Sequence, residues 1–225
     1  MIVPTIRFSF FTLFPALIDG YFQASIAARA LKAGLVSLEF INIRDFATDR
    51  HKSVDAPPIG GGAGMLLDPA ILGRALEGRL DSRILFLSPC GASFGANDAR
   101  RLAAYSHISF VCGRYAGFDE RCIELYATEV FSIGDFVLTG GELAALCLAD
   151  SILRHRAGVL GNAKSLEGES FENGVLEAPN FVKSKLPLGL PPPKEYASGN
   201  HASLKNLKTR LARLKTAYFR PDLLR

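Results

Sequence analysis

The sequence predicts an α/β fold, a parallel sheet with helices on both faces, followed by a small helical C-terminal domain. Three observations carry the prediction. Short runs rich in β-branched and aromatic residues alternate with longer helical patterns. Those runs are apolar almost throughout rather than at every second residue, as strands buried on both faces are. Beyond residue 158 the alternation fails, and a Gly-, Pro-, Asn- and Ser-containing stretch leads into one basic amphipathic helix.

Ile6–Leu13 reads as the first strand. Its apolar character continues to Ile18 behind Arg7 and imitates the core of a signal peptide, but Pro15 interrupts it and Asp19 closes it without a cleavage site. The run is also far short of the ~20 residues that span a bilayer. It is a buried strand running into a helix over Asp19–Lys32. Further strands are expected at Val36–Ile43, Ile84–Ser88, Ile108–Cys112 and Glu129–Ile133, with helices at Pro69–Leu80, Asn97–Tyr105 and Asp119–Tyr126. Thr139-Gly-Gly-Glu142 has the spacing of a capping box, in which hydroxyl and carboxylate each satisfy a free backbone N–H, and predicts a long helix to about Arg156. From Gly158 to Pro193 a long loop or linker contains Glu167, Glu169, Glu172 and Glu177. Residues 202–219 recover a helix, with Leu204, Leu207, Leu211, Leu214 and Tyr218 on one stripe and Lys205, Lys208, Arg210, Arg213 and Lys215 around the rest. That helix contains no acidic residue.

The 225 residues, 48% hydrophobic and 21% charged, exclude disordered, collagenous and coiled-coil classes and allow one large domain with a smaller appendage. The net charge of +4 conceals an asymmetry: residues 181–225 hold 10 Lys+Arg against 2 Asp+Glu, and residues 1–180 hold 16 against 20. A slightly acidic body thus carries a strongly basic tail, the footprint of polyanion or membrane-surface binding or, more blandly, a solvated helix face. Cys90, Cys112, Cys122 and Cys147 form no C-x-x-C pair and have no His at a ligand interval, so neither a metal site nor a disulfide framework is expected. Reduced thiols fit a cytoplasmic protein.

Two groups of segments carry chemistry. Arg44 to Met65 contains Asp49-Arg-His-Lys52, Asp55 and Gly60-Gly-Gly-Ala-Gly64, a loop that fits no nucleotide fingerprint and is equally consistent with a mobile surface loop. Leu87-Ser-Pro-Cys-Gly91, Cys112-Gly-Arg-Tyr-Ala-Gly117 and Ser132-Ile-Gly-Asp-Phe-Val-Leu-Thr-Gly-Gly141 each begin where an apolar strand ends, the place where open α/β sheets bind ligands. Any one of them alone makes a turn; together they predict a pocket for a flat small molecule.

In this order the segments resemble the bacterial tRNA (guanine-37-N1)-methyltransferases, TrmD-type enzymes of the SPOUT class. The resemblance is carried by Thr12-Leu-Phe-Pro15, Arg44-Asp-Phe46, Asp49-Arg-His51, Gly60-Gly-Gly with Gly64-Met65, Leu87-Ser-Pro89, Gly113-Arg-Tyr115 and Asp119-Glu-Arg121. It continues through Ser132-Ile-Gly-Asp135, Val137-Leu-Thr-Gly-Gly-Glu142, Gly158-Val-Leu-Gly-Asn162, Glu169-Ser-Phe171, Ser198-Gly-Asn-His201 and Arg220-Pro-Asp-Leu-Leu224, almost the whole chain.

What the resemblance implies is specific. It implies a trefoil knot at the carboxyl end of the sheet, a homodimer, and S-adenosyl-L-methionine as cofactor, with no membrane association. Residues 1–160 would be the knotted cofactor-binding and dimerisation domain, 161–180 a flexible catalytic loop and linker, and 181–225 a basic helical domain that binds the tRNA anticodon stem-loop. Leu87, Ser88, Pro89, Gly91, Gly113, Tyr115, Ser132, Ile133, Gly134, Asp135, Phe136, Val137, Leu138, Gly140 and Gly141 would contact the cofactor. Lys205, Lys208, Arg210, Arg213, Lys215, Asn200 and His201 would contact tRNA. By motif position Glu169, usually Asp in the family, would be the general base and Arg154 would stabilise charge on the guanine, while Ala116 stands where the family commonly has Glu. A non-catalytic RNA-binding protein, or a SPOUT methyltransferase acting elsewhere on RNA, would share these residues.

Overall fold

The structure, a computed structural model, describes residues 5–182 and 191–224. The chain divides into two compact units, Met1–Gly161 and Asn162–Arg225. Residues 183–190 of the expected loop over 158–193 lie outside the described residues.

In the first unit the strands are β1 (Ile6–Thr12), β2 (Val36–Asn42), β3 (Asp55–Ala56), β4 (Leu66–Leu67), β5 (Arg83–Ser93), β6 (His107–Cys112) and β7 (Glu129–Ser132); the five apolar runs give all but the two-residue β3 and β4, which were not expected. Five of them form one sheet in the order β2-β1-β6-β5-β7 with every pairing parallel, while β3 and β4 make a separate antiparallel pair. Helices α1 (Pro15–Phe22), α2 (Ser25–Lys32), α3 (Pro69–Glu77), α4 (Ala96–Leu102), α5 (Glu120–Tyr126) and α6 (Glu142–Leu153) cover both faces, as a parallel sheet requires. Phe8, Phe10 and Phe110 pack beneath α1, α2, α4 and α6; Phe11, Ile84, Phe86 and Val111 pack beneath α3 and α5. Among the described residues no helix is long and apolar enough to cross a membrane.

The helix expected over Asp19–Lys32 is two helices. Ile18 and Phe22 face the sheet from α1 and Ala27 and Ala30 from α2, and one continuous helix would carry the second pair off the buried stripe. Extended Ala24 and left-handed Ser25, at φ 53°, restore the phase. Strand β5 runs on through Pro89 and Gly91 to Ser93, because its pairing with β7 shifts register between Leu87 and Ala92. Helices α3 and α4 each stop three residues before the periodic pattern does.

A polar network lies inside the α3 face. Ser9 Oγ donates to Glu39 Oε2 at 2.8 Å and sits 2.9 Å from His107 Nε2, and Arg79 pairs with Glu39. Burial holds the His107 imidazole below the usual histidine range, and the hydrogen bond from Arg79 does the same for the Glu39 carboxyl.

The second unit is built around α7 (His201–Phe219) with single 3-10 turns at Ala163–Leu166, Lys194–Tyr196 and Pro221–Leu224. Asn200 caps α7, its Oδ1 accepting from the Ser203 amide at 3.0 Å. Leu204, Leu207 and Leu211 are half-buried as expected, but Leu214 and Tyr218 are 64% and 80% exposed. The covered face instead turns toward Lys208, Ala212, Lys215 and the fully buried Thr216, because the Leu176 backbone binds the Thr216 hydroxyl.

Candidate active site

The carboxyl ends of β5, β6 and β7 surround a cleft of about 250 Å³ in the first unit. Of the residues expected there, Leu87, Ser88, Pro89, Gly113, Tyr115, Ser132, Ile133, Gly134, Phe136, Val137, Leu138, Gly140 and Gly141 line it. Gly91 and Asp135 are not among its walls. Gly91 serves the sheet: a Cβ there would stand 2.6 Å from the Phe131 amide nitrogen, so only glycine lets β5 lie this close to β7. Asp135 is exposed.

Two loops are clamped together beneath the cleft. The Gly141 amide donates to Gly113 O at 2.8 Å, and a Cβ at Gly141 would meet Cys112 Cα at 2.8 Å. Tyr115 takes the left-handed conformation, φ 59°, which turns the 113–117 loop back across the cleft. Glu142 does not form the expected capping box. Gly141 is the N-cap of α6 with no side-chain cap, and the Glu142 carboxylate turns inward to Thr12 and Arg114 because a buried carboxylate needs a cation and a hydroxyl more than a helix terminus does. Helix α6 also ends at Leu153, with Arg154 at its C-cap rather than inside it.

The glycine loop over 57–65 joins β3 to β4, and its end is tied to the cleft: the Ala116 amide donates to Met65 O at 2.8 Å and the Leu67 amide to Gly117 O at 3.1 Å. Gly60, Gly61, Gly62 and Gly64 all have positive φ. At its root Arg44 Nη1 donates to Lys52 O at 2.8 Å, and Asp49 accepts from the His51 and Ser53 amides.

Glu169 belongs to the second unit, where the segment 167–178 folds on itself. The Phe171 amide donates to Val175 O at 2.8 Å and the Glu177 amide to Ser170 Oγ at 3.1 Å; Gly168 N–H binds the Glu172 carboxylate. Phe171 is left-handed at φ 74°. Glu167, Glu169 and Glu177 share a groove with Lys208 and Arg213 of α7. Of the other expected RNA contacts, Lys205, Arg210 and His201 are exposed, Lys215 is half-buried, and Lys208 donates to Asn180 Oδ1 at 3.3 Å with its ammonium 5.7 Å from the Tyr196 ring.

Residues 6–225 match the family model described as tRNA (Guanine-1)-methyltransferase TrmD. The chain belongs to this family. Proteins named tRNA (guanine-N(1)-)-methyltransferase are similar along nearly their full lengths. The one from Helicobacter hepaticus is 57% identical over 96% of this chain and 92% of its own. Those from Wolinella succinogenes and Helicobacter pylori are 53% and 54% identical over 96% of this chain, covering 94% and 97% of their own.

Beyond the expected residues, Arg114, Ala116, Gly117, Phe118, Glu120, Ile123, Phe131, Thr139 and Ala144 also line the cleft. Ile123, Phe131 and Ala144 come from α5, β7 and α6. Arg114, Ala116, Gly117 and Thr139 sit inside the quoted glycine loops, so contiguity was the available signal for them. Phe118 and Glu120 follow immediately, and Asp119 between them caps α5, its carboxyl drawn down to about 2 by Arg121.

Proposed function

We propose that this chain transfers the methyl group of S-adenosylmethionine to N1 of guanine 37 of tRNA, the base just 3′ of the anticodon. Methylation of a tRNA guanine at N1 is the activity of its family and of relatives more than half identical to it. The observation that carries the donor is the cleft at the carboxyl ends of β5, β6 and β7. Its walls combine apolar side chains, Leu87, Phe131, Ile133 and Leu138, with the peptide groups of Gly113, Gly134 and Gly140. That combination fits an adenosyl group, whose flat base needs an apolar slot and whose ring nitrogens need peptide donors and acceptors.

When bound, S-adenosylmethionine supplies an electrophilic methyl on a sulfonium. Guanine N1 carries a proton at neutral pH, and its lone pair becomes nucleophilic only when a base removes that proton. Glu169 takes it as general base. Arg154 stabilises the negative charge that develops toward guanine O6. The loops that fix the methyl and the base in line supply the rest by orientation. Exposed Lys205, Arg210, Arg213 and His201, with Lys208, Lys215 and Asn200, hold the anticodon stem-loop. The substrate makes this a cytoplasmic enzyme.

The same reading takes the clamped loops over 113–117 and 133–141 as strands of a trefoil knot, and a second copy of the chain as the cover of an apolar face. Supporting the latter, Phe14, Leu17 and Tyr21 from the α1 region and Leu143 of α6 are 46%, 55%, 39% and 58% exposed.

The test is methyl transfer from labelled S-adenosylmethionine to unmodified tRNA, with the product nucleotide mapped by mass spectrometry. Modification at N1 of guanine 37 is expected. Glu169→Ala and Arg154→Ala should each lose roughly 10²–10⁴ in kcat while retaining cofactor binding. Methylation at another nucleotide would overturn the substrate, and normal turnover in both variants would overturn the residue roles.

A further inference from the structure

A guanidinium lines a cleft that, on the reading above, accepts a cation. S-adenosylmethionine carries a sulfonium and an ammonium against one carboxylate, so its net charge is +1. Arg114 stands in the wall with its side chain only 17% exposed. A fixed, poorly hydrated positive charge at that place would oppose a positive ligand.

The geometry points to Glu142 as the residue that makes the site acceptable to a sulfonium, by cancelling the charge of Arg114. Glu142 is 2% exposed. Its Oε2 lies 2.8 Å from Arg114 Nη2 and its Oε1 accepts from Arg114 Nε at 3.2 Å, a two-pronged pairing that fixes the guanidinium plane. Thr12 Oγ1 donates to the same Oε1 at 2.7 Å and also accepts from the Phe14 amide at 2.9 Å, so the carboxylate is held from the end of β1 as well. Arg114 Nη1 donates to Thr139 O at 3.3 Å, and the Phe14 ring lies 4.3 Å from the guanidinium carbon. Arg114 thereby joins the 113–117 loop to the 133–141 loop, and Glu142 neutralises the cost of placing a cation there.

Because Glu142 acts through Arg114, it is a specificity-determining, positioning residue. The reaction provides its own probe. Loss of the methyl leaves S-adenosylhomocysteine, a thioether of nearly the same shape without the sulfonium charge. Loosened loops weaken both ligands alike; an uncancelled Arg114 weakens the sulfonium selectively.

The experiment is calorimetric titration of the full-length protein with S-adenosylmethionine and with S-adenosylhomocysteine, in wild type, Glu142→Gln, Arg114→Gln and the double variant. Glu142→Gln should lose about tenfold or more affinity for S-adenosylmethionine beyond any loss for S-adenosylhomocysteine. The double variant should return the ratio of the two affinities to its wild-type value even where both ligands bind more weakly. Arg114→Gln should leave that ratio at or above wild type, which keeps the test open if Glu142→Gln fails to fold. Equal losses for both ligands in Glu142→Gln, an unrestored ratio in the double variant, or a lowered ratio in Arg114→Gln would overturn the inference. Wild-type protein that binds neither ligand would instead overturn the cofactor reading of the cleft.

Discussion

The Leu176 amide donates a 2.8 Å hydrogen bond to Thr216 Oγ1, and the Thr216 hydroxyl in turn donates to Ala212 O at 2.7 Å. Thr216 is fully buried. One hydroxyl therefore joins the segment that carries Glu169 to the basic helix α7, which makes the 167–178 stretch part of a folded body rather than a free strap.

Thr216→Val keeps the volume and removes the hydroxyl, stranding the Leu176 N–H. The expected cost is about 1–3 kcal/mol in the urea unfolding of the protein. Turnover should fall while affinity for S-adenosylmethionine stays at the wild-type value, and Thr216→Ser should recover both stability and kcat. A Thr216→Val enzyme with unchanged kcat would show that the anchor does not position Glu169.

The glycines divide by what a methyl group would meet. At Gly141 it would meet backbone atoms of Cys112 and Gly113 at 2.8 Å, which no side-chain rotation relieves. Gly141→Ala should cost about 1–3 kcal/mol and weaken cofactor binding, since the two clamped loops must separate. At Gly20, inside α1, nothing lies within 4 Å. Gly20→Ala should stabilise the protein by about 0.5–1 kcal/mol with activity unchanged. Thermal melts of the two variants moving in the same direction would contradict the packing described.

Much of the body was legible because its strands are buried on both faces and read as plain apolar runs: β1, β2, β6 and β7 lie within about a residue of their expected spans. The strand order was not legible, since the pairing of Arg7 with His107 joins residues whose partnership no local pattern encodes. Glu142 shows the same limit at the site. Thr139 and Glu142 have the spacing of a capping box, yet Thr12 and Arg114, far away in sequence, win the carboxylate. The cleft itself was legible, since three glycine loops at strand ends share one destination. What Arg114 pairs with there, the Glu142 carboxylate and Thr139 O, required the fold. On α7 the 3.6-residue period found Leu204, Leu207 and Leu211 but misjudged Leu214 and Tyr218, because a hydroxyl rather than a leucine stripe decides which face is covered.

Acid should destabilise the protein in two stages. Burial holds His107 below its ordinary 6.5, so the folded state prefers the neutral imidazole. Its contribution is complete above about pH 6.5 and is lost as pH falls through the lower folded value, where the unfolded chain already holds the extra proton. Glu39, held below its ordinary 4.5 mainly by the hydrogen bond from Arg79, contributes fully above about pH 4.5 and is lost below it. Urea midpoints measured from about pH 8 to about pH 3 should therefore fall first below about pH 6.5 and again below about pH 4.5. His107→Asn should flatten only the first stage; a wild-type midpoint that stays level from about pH 6.5 down to about pH 4.5 would refute the account of His107.

The basic tail makes a prediction that separates its role from that of the cleft. Lys205, Arg210 and Arg213 are exposed on α7, whereas Lys208 is engaged with Asn180 and Tyr196. Reversing the first three to Glu leaves that contact intact and should weaken tRNA binding strongly, because each cation near a phosphate releases a condensed counterion on binding. The slope of log K against log salt should flatten by roughly 0.7–0.9 for every phosphate contact removed. Reversal of Lys208 would disturb the packing of its own unit as well, and is the poorer probe. Affinity for S-adenosylmethionine should not change, since none of the three residues lines the cleft. A salt slope that stays at its wild-type value while affinity falls would mean that these side chains act through folding of the second unit, and a parallel loss of cofactor binding would show that the basic helix and the cleft are not separable functions.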